Sequence, residues 1–254
     1  MELAFTTVET IGLGRTAEVL TRAFADYLVP LSLSETALQG MALLPEVRGQ
    51  GVGRRVMERV IDEARARGAR ELVLEVIEQN TAAVRLYERM GFKARRRLLG
   101  FEGKAPAGLP AVNALGTAIV TEVAAAVRRM DAEIGWPWQI SAETIAQLPP
   151  STVAHTLDEA WIVLSRPSGP TIGVRAFAVD GAERRAERAA RLLQAVMAKY
   201  AAEQWRMSAL WPEELAEWFT RAHWTRQELS QWQMRRSLQT AAGVDREGEK
   251  TIAS

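Results

Sequence analysis

The chain has 254 residues, 48% hydrophobic and 25% charged, and its 32 basic and 31 acidic side chains leave a formal net charge of +1. That length suits one large domain or two small ones, and the charge balance gives no global field that would select nucleic acid or a membrane surface as partner. With no cysteine and only His155 and His223, disulfides, thiolate nucleophiles and cysteine–zinc sites are excluded. A histidine-rich metal centre or a Ser-His-Asp triad is not expected either, so no metal is assigned.

The opening MELAFTTVET lacks the basic and apolar stretches of a secretory signal, and no apolar run is long enough to span a bilayer. A cytoplasmic protein is the expectation. Met41-Ala42-Leu43-Leu44-Pro45 reads as the end of a strand. After it comes Arg48-Gly49-Gln50-Gly51-Val52-Gly53, and then Val52, Val56, Met57, Val60, Ile61 and Ala64 recur at helical spacing until Gly68 stops the helix. Glycines let the backbone turn its amides toward one point, and the helix end adds unpaired N–H groups and the positive end of its dipole. The pattern predicts a phosphate cradle, with Arg54 and Arg55 at its rim; a ligand-free strand-to-helix turn is the alternative. It matches neither the G-x-G-x-x-G dinucleotide spacing nor a Walker loop.

Leu72–Ile77 then reads as a buried strand running into Asn80-Thr81-Ala82-Ala83-Val84-Arg85-Leu86-Tyr87-Glu88-Arg89-Met90-Gly91-Phe92. Asn80 or Thr81 caps this second helix, Ala83, Leu86, Tyr87 and Met90 face inward, and Gly91 ends it. In the basic run Lys93–Arg97, Lys93, Arg95 and Arg97 fall on one face of a strand, as a solvated edge or as a receiver for anions.

Taken together, Arg48–Gly53, Leu74-Glu75-Val76, Asn80 and Leu86-Tyr87 through Gly91-Phe92 resemble the core of the GCN5-related N-acetyltransferase (GNAT) superfamily, over roughly residues 41–101. The resemblance implies acetyl-CoA as co-substrate, its pyrophosphate on the amides of Arg48, Gly49, Gln50, Gly51, Val52, Gly53 and Arg54. The pantetheine would lie along Leu43 and Leu44, with Asn80 hydrogen-bonded to it. It further implies direct attack by an amine, with Tyr87 as the acid that protonates the leaving thiolate and Glu75 as the base. Each has a structural alternative: Tyr87 a core aromatic, Glu75 a salt-bridged strand residue, Asn80 a helix cap. The acceptor implied is a small-molecule amine or a peptide N-terminus.

The C-terminal half repeats this organisation. Arg191–Tyr200 is amphipathic, Trp205–Leu210 is strand-like, and Pro212–Ala222 ends at His223-Trp224 where the first copy has Gly91-Phe92. Tyr87 then falls on Phe219, and Arg48–Gly53 falls on Ala182–Glu187, which has no glycine and two glutamates. That loop is expected neither to bind CoA nor to catalyse. All eight tryptophans lie from Trp136 onward, most simply as packing, or with a few lining the acceptor pocket.

Upstream, Pro30–Thr36 resembles Pro137–Glu143, yet residues present between Ile145 and Val174 have no counterpart in the first copy. The first copy is thus short of a hairpin near Gly40-Met41, through a sequence gap, a natural deletion, or a hairpin supplied by a second chain in a homodimer. The resulting expectation is an α/β protein of two tandem GNAT-like domains, each a mixed, mostly antiparallel sheet flanked by helices. Residues 1–102 hold the acyl-CoA-binding copy, 103–116 a linker, 117–240 the degenerate copy and 241–254 a polar tail. The alternative function is a non-catalytic CoA-binding or protein-interaction module.

Overall fold

The computed structural model describes residues 43–239 apart from 107, 109–113, 166, 168 and 201. The junction at Gly40-Met41, the middle of the linker (107 and 109–113) and the 241–254 tail lie outside the described residues. The chain divides into two compact units that interleave along the sequence: Met1–Val73, Asn80–Lys93 and Arg235–Ser254 form the first, Leu74–Gln79 and Ala94–Met234 the second.

The second unit holds the greater part of an eight-stranded sheet. Its strands are β1 (Glu71–Ile77), β2 (Lys93–Gly103), β3 (Gly116–Ala118), β4 (Val153–Leu157), β5 (Ala160–Leu164), β6 (Thr171–Val179), β7 (Gln204–Pro212) and β8 (Thr225–Ser237), in the order β1-β8-β2-β7-β6-β5-β4-β3. Pairs β3–β4, β4–β5, β5–β6 and β2–β7 are antiparallel, and β6–β7 is parallel. A parallel pair needs a crossover, supplied here by helix α5 (Arg185–Lys199). The expected α/β class and mixed, mostly antiparallel sheet are therefore observed. The strands of the two repeats, however, join one sheet instead of forming one each: β8 of the second repeat lies between β1 and β2 of the first. Among the described residues β1 is an edge strand.

Helix α3 (Val120–Ile134) buries Val123, Ala124, Ala126, Val127, Met130 and Ile134, the short α4 (Ala142–Ile145) buries Ala142 and Ile145, and α5 buries seven residues from Ala189 to Met197. These are the one-sided stripes that a helix packed on a sheet requires. The core is rich in aromatics. β6 and β7 pair only from Thr171–Gln204 to Val174–Met207, although both strands run further. Beyond that point Phe177 of β6 and Trp211 of β7 meet with ring centroids 5.9 Å apart. Trp136, Trp218 and Phe219 stand 5.3–5.4 Å from Trp211. All five rings are buried. Where the two backbones stop pairing, side chains fill the interior, and the indole N–H of Trp211 is satisfied by the Leu215 carbonyl at 2.9 Å.

The first unit contains a 3-10 turn (Pro45–Val47), α1 (Val52–Ala66) and α2 (Thr81–Arg89). Leu43 and Leu44 are coil and Pro45 opens a 3-10 turn, where the end of a strand was expected; Met41 and Ala42 of that expected strand end lie outside the described residues. The proline at the start of that turn explains the difference: it donates no ladder hydrogen bond and fixes φ near the helical value. Val60, expected to face inward, is 41% exposed, and Val52, Met57 and Ile61 carry the buried stripe.

Candidate functional site

The glycine loop is held by its own polar side chains. Arg48 Nε donates to the Leu43 carbonyl at 3.0 Å and Gln50 Nε2 to the Glu46 carbonyl at 2.7 Å. Gly49 (φ 73°) and Gly51 (φ 76°) sit in the left-handed region, where a Cβ is unfavourable. Gly51 caps α1, and the first intrahelical bond is Arg55 N–H to Gly51 O at 3.2 Å. The amides of Val52, Gly53 and Arg54 precede it and have no intrahelical acceptor. Among the described residues, a Cβ placed at Gly49 or Gly51 would meet no atom within 4 Å, which leaves room on that side of the loop for an incoming group. Gly53 serves packing instead. Its Cβ would lie 3.1 Å from Leu86 Cδ2 and 3.2 Å from Leu43 Cδ1, so glycine there lets α1 approach α2 and Leu43 closely. Arg54 is turned along the helix to Glu58 at 2.8 Å, which offsets the charge expected at the rim.

Tyr87 lies in the last turn of α2, half-buried. Gly91 (φ 81°) donates to Glu88 O at 2.9 Å and Phe92 to Tyr87 O at 3.0 Å, the paired bonds of a Schellman helix end. The apolar contact that accompanies such an end is the edge-on Tyr87–Phe92 pair, 5.9 Å between centroids. At the start of α2, Asn80 Oδ1 accepts from the Ala83 N–H at 3.2 Å, so the cap reading of Asn80 holds.

Glu75 belongs to the second unit, and its neighbours there were not anticipated. Its Oε1 accepts from Gln233 Nε2 at 3.2 Å, and the fully buried Gln233 accepts from Arg96 Nε at 2.9 Å. Arg96 in turn donates to Glu214 at 2.6 Å, to Ile134 O at 2.8 Å and to Gly135 O, capping the C-terminal carbonyls of α3. Desolvation holds the Glu75 carboxyl above the usual carboxylate range. The Gln233, Trp138 and Gln139 side chains and the Arg96 charge oppose that rise without cancelling it. Glu75 Oε2 and Gln139 Oε1 are both buried without a hydrogen-bond partner.

Strand alternation does separate the arginines of the basic run, but not into a free anion receiver. Arg97 grips Glu78 through contacts of 2.8–3.2 Å and stacks 4.6 Å from the Trp232 ring. Arg96, on the other face, is the buried hub. Sequence reasoning missed Arg96, Gln233, Trp138 and Gln139, since only a fold brings β8 and the segment after α3 to β1. The available signal was the Pro137–Glu143 segment, similar to Pro30–Thr36 and carrying both Trp138 and Gln139.

The second repeat keeps the helix geometry and changes the loop. α5 is 15 residues long, as α1 is, and also begins at a left-handed cap, but the cap is Arg184 (φ 51°). This places Gly51 opposite Arg184 and Gly49 opposite Ala182, one residue earlier than the sequence comparison placed them. Only Glu183 of the two glutamates then falls within the loop, and Glu187, in the first turn of α5, pairs with Arg184. Phe219, His223 (φ 62°) and Trp224 reproduce the end of α2: Trp224 N–H to Phe219 O at 3.1 Å, His223 N–H to Thr220 O at 3.0 Å, and rings 5.1 Å apart.

A mixed sheet crossed by a β-α-β unit, together with a glycine loop capping a long helix, defines an α/β protein. Residues 18–92 match the model of the acetyltransferase (GNAT) family. It is 43% identical over 70 residues to the [ribosomal protein bS18]-alanine N-acetyltransferase of Escherichia coli (strain K12), a match that covers 28% of this chain and 46% of that enzyme. The chain thus spans about half the length of this curated relative.

Two solved structures share the fold. A GCN5-related N-acetyltransferase from Kribbella flavida has a TM-score of 0.52 at 18% identity, covering 78% of this chain and 51% of that one. A tandem GNAT protein from the clavulanic acid biosynthesis pathway has a TM-score of 0.51 at 13% identity, covering 79% and 74%. Among the described residues no helix is long and apolar enough to cross a membrane, and no three His, Asp or Glu side chains converge as metal ligands would.

Proposed function

We propose that the protein transfers the acetyl group of acetyl-CoA to a primary amine. The observation that carries the reading is the glycine loop within the family-matched segment. Among the described residues there is room beside Gly49 and Gly51, and the first-turn amides of α1 lack helical acceptors, which suits a pyrophosphate. In this reading Arg48 through Arg54 hold the diphosphate, while Leu43, Leu44 and Asn80 border the pantetheine arm. The amine nitrogen attacks the thioester carbonyl, the C–S bond breaks, Glu75 receives the amine proton and Tyr87 protonates the thiolate. The second repeat is read as non-catalytic, with Phe219 in the place of Tyr87. The reaction belongs in the cytoplasm, where acetyl-CoA is available.

The test is thiol release from acetyl-CoA over a panel of small amines and peptides with free N-termini. The absence of cysteine makes a thiol reagent report only free CoA. Gly51→Ala is expected to weaken acetyl-CoA binding about tenfold, because the strained loop no longer aims its amides together. A second reading, a CoA-binding module without turnover, is favoured by one observation: the Tyr87 ring closes a helix end just as Phe219 does without a hydroxyl. Acetyl-CoA binding with no thiol release on the whole panel decides for that second reading.

A further inference from the structure

Two carboxyls, Glu75 on β1 and Glu78 just after it, meet β8 and β2 in different ways. Glu78 is gripped directly: Arg97 of β2 donates to it at 2.8–3.2 Å and Ser230 Oγ of β8 at 2.7 Å. The guanidinium holds the Glu78 carboxyl below the usual carboxylate range. Glu75 meets an arginine of β2 through an amide of β8. Arg96 Nε donates to Gln233 Oε1 at 2.9 Å, and Gln233 Nε2 donates to Glu75 Oε1 at 3.2 Å. Arginine has donors and no acceptor, so Gln233 must turn its oxygen to Arg96 and its N–H groups to Glu75. The guanidinium is itself fixed by Glu214 at 2.6 Å, by the Ile134 carbonyl at 2.8 Å and by the Gly135 carbonyl. Gln233 is 1% exposed, so solvent does not compete for its amide.

A general base has to be held in place and still accept a proton. An arginine paired with the carboxyl, as at Glu78, opposes protonation, whereas one neutral N–H orients the group with a smaller effect. The two carboxyls accordingly depart from the usual range in opposite directions, Glu75 upward through burial and Glu78 downward through Arg97. The charge that acts on Glu75 is that of Arg96, which is paired with Glu214. We propose that Gln233 is the positioning residue of the base: an amide placed between Arg96 and Glu75 that fixes the carboxyl through one N–H and keeps the guanidinium from pairing with it. This role rests on the transferase reading above, in which Glu75 receives the amine proton. It gives the last strand of the second repeat a task in the chemistry of the first.

The test compares the full chain with Gln233→Met, with Gln233→Glu and with the exchange Gln233→Glu plus Glu75→Gln. The substrates are acetyl-CoA with n-hexylamine and with an alanyl tripeptide bearing a free N-terminus. Turnover is followed against pH, and melting temperatures are read in acid and in mild alkali. Both single substitutions keep roughly the volume of the buried glutamine. Gln233→Met is expected to lower kcat about tenfold with the acetyl-CoA KM unchanged, as for loss of one hydrogen bond to a charged group. The acid limb of its pH profile moves to higher pH, because the N–H that favours the ionised carboxyl is gone. Gln233→Glu keeps an oxygen for Arg96 but sets a second carboxyl against Glu75, so the limb moves further the same way. A glutamine that only satisfied Arg96 would be replaced by glutamate without loss. A parent-like kcat and acid limb in either single variant, with an active parent, therefore overturns the positioning role and spares the transferase. With an inactive parent the melting temperatures decide. If Gln233→Glu loses stability from acid to alkali more steeply than the parent, and the exchange abolishes that loss, the transferase is overturned and the hold on Glu75 stands. Without that loss both are overturned.

Discussion

The two repeats keep the same backbone devices and put different side chains on them. Both have a 15-residue helix begun by a left-handed cap, and both end the next helix with a Schellman turn closed by an aromatic pair. In the first repeat the cap is glycine, with room beside it among the described residues; in the second it is Arg184, tied to Glu187. In the second repeat the strands that stop pairing are filled by Phe177 and Trp211. The lesson is that a repeat can change its task without changing its frame, by exchanging a conformational requirement for packing. α5 and α6 (Glu217–Thr220) bury large apolar side chains, whereas α2 has no fully buried residue. Within these helices the second repeat buries more large apolar side chains than α2 of the first.

The strongest way to break this contrast is Trp211→Ala. The ring is fully buried against Trp136, Phe177, Trp218 and Phe219. Its removal should cost about 4 kcal/mol, read as a shift of the denaturation midpoint. A loss below about 1 kcal/mol would mean that the cluster is loosely packed.

Glu75→Gln separates chemistry from stability. Turnover is expected to fall about a hundredfold or more, as for loss of a general base. Stability should move the other way. The carboxyl is raised above its ordinary value of 4.5 chiefly by desolvation, so the folded state favours the protonated form. The parent is free of that burial penalty below pH 4.5 and acquires it as the pH rises through the folded value. The variant should melt above the parent at neutral pH and level with it in acid; a parallel loss of stability and activity at neutral pH would make Glu75 a structural residue only.

Tyr87→Phe uses the second repeat as its own control. Phe219 shows that a phenyl ring completes the same helix end, so folding and acetyl-CoA binding should be unchanged while turnover drops about a hundredfold. Unchanged turnover removes Tyr87 as the acid and favours the binding module.

Local features were legible in the sequence because short-range rules set them. Gly51 and Gly91 needed positive φ, Asn80 capped a helix, and the apolar period of 52–66 marked α1. The family segment was legible through their spacing. Non-local placement was not. Nothing in β8 announces that it pairs between β1 and β2, and without that pairing Gln233 and Arg96 have no connection to Glu75. Of the strand end expected at Met41–Pro45, the described Leu43 and Leu44 are coil, because the proline that follows them starts a 3-10 turn.

The smallest effect tests whether the two helix ends are the same device. Gly91 and His223 occupy equivalent positions with φ of 81° and 62°. A Cβ at Gly91 would meet only the Arg236 side chain at 3.7–3.9 Å, an ordinary contact, so the cost of Gly91→Ala is torsional. His223 already bears that cost, and its side chain is exposed, so His223→Gly removes strain without removing packing. The pair should shift stability in opposite directions by about 1 kcal/mol each, the usual penalty for a left-handed non-glycine residue. The N–H of residue 223 still reaches Thr220 O and that of Trp224 still reaches Phe219 O in either case. If His223→Gly destabilised instead, its imidazole would have to hold a contact that the backbone geometry does not require, and the equivalence of the two helix ends would fail.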